Sequence, residues 1–297
     1  MPRPYIAFLG ASGRIGRLLR RAERIDGDAD AQIIWQFRDH LPDGTKGFLW
    51  PDFIDPRPLI AAQSKTPFAA ILVFTGPSQP TRKDDAEAMQ AHVSLVDQAI
   101  TAAALAGVPR MLVASSSAVY GAGKGRAFRE EDDLAPINAY GAAKAEMEDL
   151  AARRARAEGL EICALRIGNV AGADMLLGNA SARTEDDPPL DLDIFPDAAG
   201  PRRSYIGPQT LLKTLKALSL SPRPLPARLN LAATKPVEMN ALLDAAQIPW
   251  RGRPQSDLAH QNITLDCSAL AALCTGVDLE TTARSIVAEW TTCLEQT

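Results

Sequence analysis

The sequence predicts an α/β fold, a doubly wound parallel sheet with a smaller C-terminal region. Three observations lead there. Apolar runs of strand length alternate with helix-period segments over residues 1–172. The first run, Tyr5–Leu9, ends in Gly10-Ala-Ser-Gly13-Arg-Ile-Gly16, a glycine loop within which a helix begins. A later run, Phe68–Phe74, is apolar throughout, as a strand covered on both faces requires.

The elements follow in order. Tyr5–Leu9 is a strand bounded by glycine turns. Ile15, Leu18, Leu19 and Ala22 give helical spacing over Arg14–Arg24. Ala31–Phe37 and Phe68–Phe74 are strands. Ala86–Ala106 is a long Ala-rich helix ended by Gly107-Val-Pro109. Arg110–Ser115 is the next strand. Ala139–Glu158 is a helix with Asn138 as its N-cap and Gly159 as its stop, and Glu161–Ile167 is a strand. Beyond Gly172 the alternation weakens. Residues 173–201, with Asp186-Asp-Pro-Pro189 and Asp191-Leu-Asp193, suit a loop over a site or a linker. Leu211–Leu220 is helical, broken by Ser221-Pro-Arg-Pro-Leu-Pro226, and Val237–Ala246 and Leu279–Leu294 are later helices. The division expected is a dinucleotide-binding domain over 1–172, rejoined by 204–222, with a smaller substrate-binding region from 173–203 and 223–297.

Composition narrows the function. The 297 residues are 46% hydrophobic and 23% charged, enough for a sizeable core. A net charge of −4 argues against a nucleic-acid-binding face. Cys163, Cys267, Cys274 and Cys293 lack metal-type spacing and the three His do not assemble a zinc site, so no metal is expected and the thiols read as reduced. Met1-Pro-Arg-Pro leads straight into a strand, and no apolar stretch has the length of a bilayer span. A cytoplasmic protein without a membrane partner is expected.

The glycine loop is the first candidate site. Gly10, Gly13 and Gly16 let backbone turn tightly and approach a pyrophosphate at a helix N-terminus, with Ser12, Arg14 and Ile15 beside it. An ordinary strand–helix turn is the plainer reading of three glycines, and the placement directly after the first strand favours the cradle. Arg38 ends the second strand and suits the 2′-phosphate of NADP, with Arg14 as a second cation. Asp39 would hold the ribose hydroxyl of NAD if the strand ended one residue later. The balance leans to NADP.

Tyr140 and Lys144 lie one helical turn apart on one face. A neighbouring ammonium favours phenolate, so Tyr140 can exchange a proton with a substrate hydroxyl or carbonyl while hydride moves to or from nicotinamide. Lys144 would also bind the nicotinamide ribose. A solvated i,i+4 pair is the alternative. Ser116, at a strand end, can hydrogen-bond the substrate oxygen, and Ser115 and Ser117 are its alternatives there.

With Ala104–Gly121, Ala139-Tyr-Gly-Ala-Ala-Lys144 and Leu165-Arg-Ile-Gly-Asn-Val-Ala-Gly172, these motifs resemble the extended short-chain dehydrogenase/reductase family, in its NAD(P)-dependent epimerase/dehydratase branch. The resemblance implies a Rossmann-type sheet. It implies Ser116, Tyr140 and Lys144 as the catalytic set, Thr75 and Gly76 at the cofactor, and a homodimer built on Ala86–Ala106 and Ala139–Glu158. Arg203, in Arg203-Ser-Tyr-Ile206, matches an arginine that often grips a sugar-nucleotide diphosphate, although Ser204 replaces the family's Asp. Ser117-Ala118 stand where dehydratases of the branch carry Asp-Glu, which disfavours dehydration. Ser117 and Asn169 are placed at the substrate, with Asn169 equally suited to capping its turn. The function expected is an NAD(P)-dependent oxidoreductase acting on a small carbonyl or secondary alcohol. The alternatives are a sugar-nucleotide epimerase that retains NAD and, in another class, a non-catalytic NAD(P)-sensing regulator.

Overall fold

The computed structural model describes residues 3–27, 30–76, 85–123, 125–180, 183–184, 187–257 and 259–296, without the side chains of Ala86 and Glu87. Met1, Pro2 and Asp186, used above, lie outside them.

The main sheet comprises β1 (Tyr5–Leu9), β2 (Gln32–Phe37), β3 (Gly47–Leu49), β4 (Phe68–Val73), β5 (Arg110–Ser116), β6 (Glu161–Ile167) and an edge strand, Arg228–Leu231. Its order is β3-β2-β1-β4-β5-β6 and then the edge strand. Every neighbouring pair is parallel. The chain builds outward from β1 in one direction, then crosses over to place β4 on its other side. That reversal opens a crevice at the carboxyl ends of β1 and β4, where ligands of such sheets bind.

Among the helices that flank this sheet are α1 (Arg14–Asp26), α2 (Arg57–Lys65), α3 (Ala86–Ala106) and α4 (Ala139–Glu158). Alternate residues of β1 serve opposite faces, as strand geometry requires. Ile6 and Phe8 join Leu18, Leu19 and Ala22 of α1 and Leu211, Leu212 and Leu215 of a later helix, Pro208–Ser219. Ala7 and Leu9 join Val96, Ala99 and Ile100 of α3 and Met147 and Ala151 of α4. Asn138 caps α4 as expected, accepting from Gly141 N–H at 2.8 Å.

The C-terminal third departs from expectation in instructive ways. The edge strand Arg228–Leu231 was not foreseen, because only Leu229 and Leu231 carry its apolar period while Arg228 and Asn230 serve buried polar contacts. Leu190–Ile194, within the expected loop, is a strand paired in parallel with Trp250–Pro254. Ion pairs Asp191–Arg251 and Asp193–Arg253 run across that pairing, so its acidic residues are structural. Val237–Glu238 is a short strand before the helix Met239–Ala245, not part of a longer helix. The last helix begins at Ala283 rather than Leu279, because Thr282 and Ser285 form a capping box there. Helix Pro208–Ser219 starts earlier than predicted. Glu289 of the last helix accepts from its Thr210 N–H at 2.8 Å and Thr210 Oγ1 at 2.6 Å and so closes its N-terminus.

Helix Pro208–Ser219 is tied to α1 by Lys216, whose Nζ donates to Asp26 Oδ2 at 2.9 Å. Lys216 is only 1% exposed. Asp26→Ala strands that ammonium and should cost about 3 kcal/mol at neutral pH. Lys216→Met leaves Asp26 beside Lys213 and should cost clearly less. Urea denaturation compares them, and equal losses would contradict the asymmetry.

Candidate active site

The cofactor end of the crevice is shaped by backbone. Gly10 has φ +99°, and a Cβ there would stand 2.6 Å from the Phe74 carbonyl oxygen. Only glycine lets the exit of β1 pass the end of β4 so closely. A Cβ on Gly16 would lie 2.4 Å from Gly10 O, so the third glycine seats α1 on the loop. Gly13 is the N-cap of α1 without any side-chain cap, and the first turn holds no acidic residue. The positive helix end is therefore left for an anion.

Gln36 supports this loop, a role not anticipated from sequence. Gly10 N–H donates to Gln36 Oε1 at 3.0 Å, and Gln36 Nε2 donates to Trp50 O at 2.9 Å.

A cavity of about 1090 Å³ extends over the carboxyl ends of the strands. Gly10, Ser12, Gly13, Arg14, Ile15, Arg38, Thr75, Gly76, Ser116, Tyr140, Lys144 and Asn169 all line it, as do Asp39 and Asp52. Three expected residues do not. Gly16 lies beneath the loop. Ser117 starts a short 3-10 turn, Ser117–Tyr120. Arg203 has its guanidinium turned to backbone, donating to the Gln261 and His260 carbonyls at 2.8 Å each and to Arg202 O. That fork pins the 260–261 segment to the strand Arg202–Arg203.

The catalytic candidates converge on one strand end. Ser116 and Tyr140 are hydrogen-bonded through their side chains. Ser116 Oγ also accepts from Ala118 N–H at 3.2 Å, which fixes its rotamer. Lys144 Nζ donates to Ala114 O at 2.7 Å and stands 5.9 Å from the Tyr140 ring centroid. Ser115, which also lines the cavity, donates its Oγ to buried Glu148 at 2.6 Å. Burial pushes the Tyr140 phenol above its usual value, and the Ser116 hydrogen bond pulls it back. Burial lowers the Lys144 ammonium to about 8, opposed by the Glu148 carboxylate. A neutral phenol beside a cation that titrates within the working range suits proton exchange with a substrate oxygen.

His92 of α3 is the other residue that sequence reasoning passed over. Its ring meets the Tyr140 ring edge-on, 5.5 Å between centroids at 75°. Burial first, and Lys144 second, hold it down at about 3, so it packs as a neutral imidazole. A lone histidine on an Ala-rich helix offers no motif that would single it out.

These features fit a nicotinamide dinucleotide. The cradle has no room for a Cβ at Gly10, and Thr75 Oγ1, buried on the same wall, has no partner among the described residues. A bound ribose or amide would satisfy it. Among the described residues no group of His, Cys, Asp or Glu is arranged to hold a metal ion, and no helix is long and apolar enough to cross a membrane.

A model of the NAD dependent epimerase/dehydratase family matches residues 6–185, more than half of the chain. The chain belongs to this family. Its members form a family of NAD-dependent enzymes, and the sheet described above is their Rossmann-type α/β fold. A UDP-glucose 4-epimerase of Azospirillum brasilense is 42% identical over 69 residues, 23% of this chain and 20% of that relative's length. The UDP-glucose-4-epimerase of Stenotrophomonas maltophila, solved with NAD and formylated UDP-arabinopyranose, superposes with a TM-score of 0.78 at 18% identity, over 99% of this chain and 98% of that one. An NAD dependent NDP-hexosamine 5,6-dehydratase of tunicamycin biosynthesis superposes at 0.71 and 19% identity, over 98% of both chains. At these identities the likeness establishes the fold.

The buried lysine has a stability signature. Its usual value is 10.5 and its folded value about 8. Between these the unfolded chain binds the extra proton, so this group's penalty is full below pH 8 and fades as pH rises toward 10.5. Lys144→Met should therefore be more stable than the parent at pH 7, with the gap closing near pH 10. A gap independent of pH in chemical denaturation would contradict the burial of this ammonium.

Proposed function

We propose that this protein is an NAD(P)-dependent oxidoreductase that interconverts a carbonyl and a secondary alcohol through Ser116, Tyr140 and Lys144. The observation that carries the reading is the joined Ser116 and Tyr140 side chains, with the Lys144 ammonium alongside, at the carboxyl edge of the sheet whose first strand opens into the glycine cradle. The nicotinamide, when bound, exchanges hydride with the substrate carbon. The chain's own residues handle the oxygen. Ser116 orients it, Tyr140 gives or takes its proton, and Lys144 stabilises the phenolate form and holds the ribose hydroxyls of the cofactor.

NADP(H) is the preferred cofactor in this reading. Arg14 and Arg38 both line the cavity, and Gln36, two residues before Arg38 at the end of β2, is neutral. The substrate is read as smaller than a sugar nucleotide, because the Arg203 fork is spent on backbone carbonyls. Ser117-Ala118 after the catalytic serine weigh against dehydration. An intact Ser–Tyr–Lys set weighs against a purely sensing role. A homodimer through α3 and α4, which pack side by side on one face, and a cytoplasmic location complete the proposal.

The second reading is a sugar-nucleotide epimerase that keeps NAD bound. Asp39, which also lines the cavity, favours it, as do the epimerases among the relatives.

Tyr140→Phe should lower turnover by at least about 10²-fold with cofactor affinity retained. Undiminished turnover would remove Tyr140 from the chemistry. Arg38→Ala should weaken NADPH binding by about tenfold or more and leave NADH binding little changed. Protein purified with tightly held NAD(H) would instead favour the epimerase.

A further inference from the structure

Beside the catalytic candidates, where α4 meets β5 and β6, lies a buried polar cluster that the proposed chemistry does not use. Its centre is Glu148, 1% exposed. Glu148 accepts from Arg166 Nε at 3.1 Å to each oxygen, from Arg166 Nη2 at 2.7 Å and from Ser115 Oγ at 2.6 Å. Arg228 Nε stands 3.2 Å from its Oε2. Arg166 Nη1 in turn donates to Tyr120 OH at 2.9 Å, and Tyr120 donates to Asn230 Oδ1 at 2.7 Å. Arg166 is as buried as Glu148, and the pairing of two buried charges repays their desolvation only in part.

Their placement is specific. Glu148 lies one helical turn after Lys144 on the same face of α4. Lys144 is itself 4% exposed, and its hydrogen bonds go to the Ala114 carbonyl and, at 3.9 Å, to Met147 Sδ. Neither contact brings negative charge. The groups facing this ammonium are Tyr140 and Glu148 on its own helix and neutral His92 on α3, with Arg166 of β6 and Arg228 of the edge strand beyond the Glu148 carboxylate. Glu148 is the carboxylate that acts on it.

We propose that Glu148 is the positioning residue of this site, clamping the end of β5 to α4 through Ser115 and supplying the negative charge that keeps the buried Lys144 an ammonium. Arg166 and, through Tyr120, Asn230 hold that carboxylate in place. The edge strand Arg228–Leu231 is thereby joined to the catalytic lysine. The inference rests on the proposed function only for the role of Lys144 in turnover, and its test reads Lys144 directly.

The experiment is an NMR pH titration of ¹³C-lysine-labelled protein, with the Lys144 signal assigned from Lys144→Met. In the parent, Lys144 should titrate near pH 8. In Glu148→Gln it should titrate about one pH unit lower or more. Should the unpaired Arg166 prevent folding, Glu148→Gln with Arg166→Met removes both buried charges, and it should still show most of the downward shift because Arg166 stands beyond the carboxylate. A merely structural carboxylate would leave Lys144 titrating at the parental pH in the folded variants, and that result overturns the proposal. Binding of NADPH or NADH by the parent, measured separately, distinguishes failure of this inference from failure of the enzymatic reading. A parent that binds neither cofactor sinks the reading and leaves the Lys144 titration to judge Glu148.

Discussion

The arrangement of the site depends on three consecutive residues at the end of β5, each fastened to a different turn of α4. The Ala114 carbonyl takes Lys144, the Ser115 hydroxyl takes Glu148, and the Ser116 side chain takes Tyr140. Successive side chains of a strand point to opposite faces, so three adjacent residues are not expected to reach one helix through their side chains alone. Here the first of the three contacts is made by a backbone carbonyl and the next two by hydroxyls. The strand lies inside the sheet between β4 and β6, and the helix is packed against α3. Packing on both sides limits how far strand and helix can shift, as the proposed proton transfer requires.

The cofactor end obeys a different constraint, the absence of side chains. Where β1 leaves the sheet it passes within contact of the β4 terminus, and Gly10 makes that crossing possible. Gln36 then ties the loop to the segment after β3. The two ends meet along one wall, where Thr75, Gly76, His92 and Tyr140 follow one another. Order around Ser116, Tyr140 and Lys144 comes from buried polar contacts, and order at the glycine loop from close backbone packing.

Much of this was legible in the amino-acid sequence. The glycine loop, the Asn138 cap and the Tyr140–Lys144 spacing are local signals, and local signals survive folding. So are the apolar strands buried on both faces. The polar residues that organise the site were harder to read. Gln36, His92 and Glu148 act through neighbours that are distant in sequence, and nothing in their local pattern separates them from solvated residues. The edge strand Arg228–Leu231 was hidden for the same reason, since half of its side chains answer to a buried polar network. Arg203 was visible as a motif, but its hydrogen bonds to residues 260 and 261 depend on tertiary placement.

The most direct test is a crystal structure of the protein grown with NADP⁺. The account predicts the pyrophosphate against Gly10 and Gly13, the 2′-phosphate between Arg14 and Arg38, and the nicotinamide ribose within hydrogen-bond reach of Tyr140 and Lys144. A dinucleotide seated elsewhere, or one whose nicotinamide lies away from the Ser116–Tyr140 pair, would contradict it.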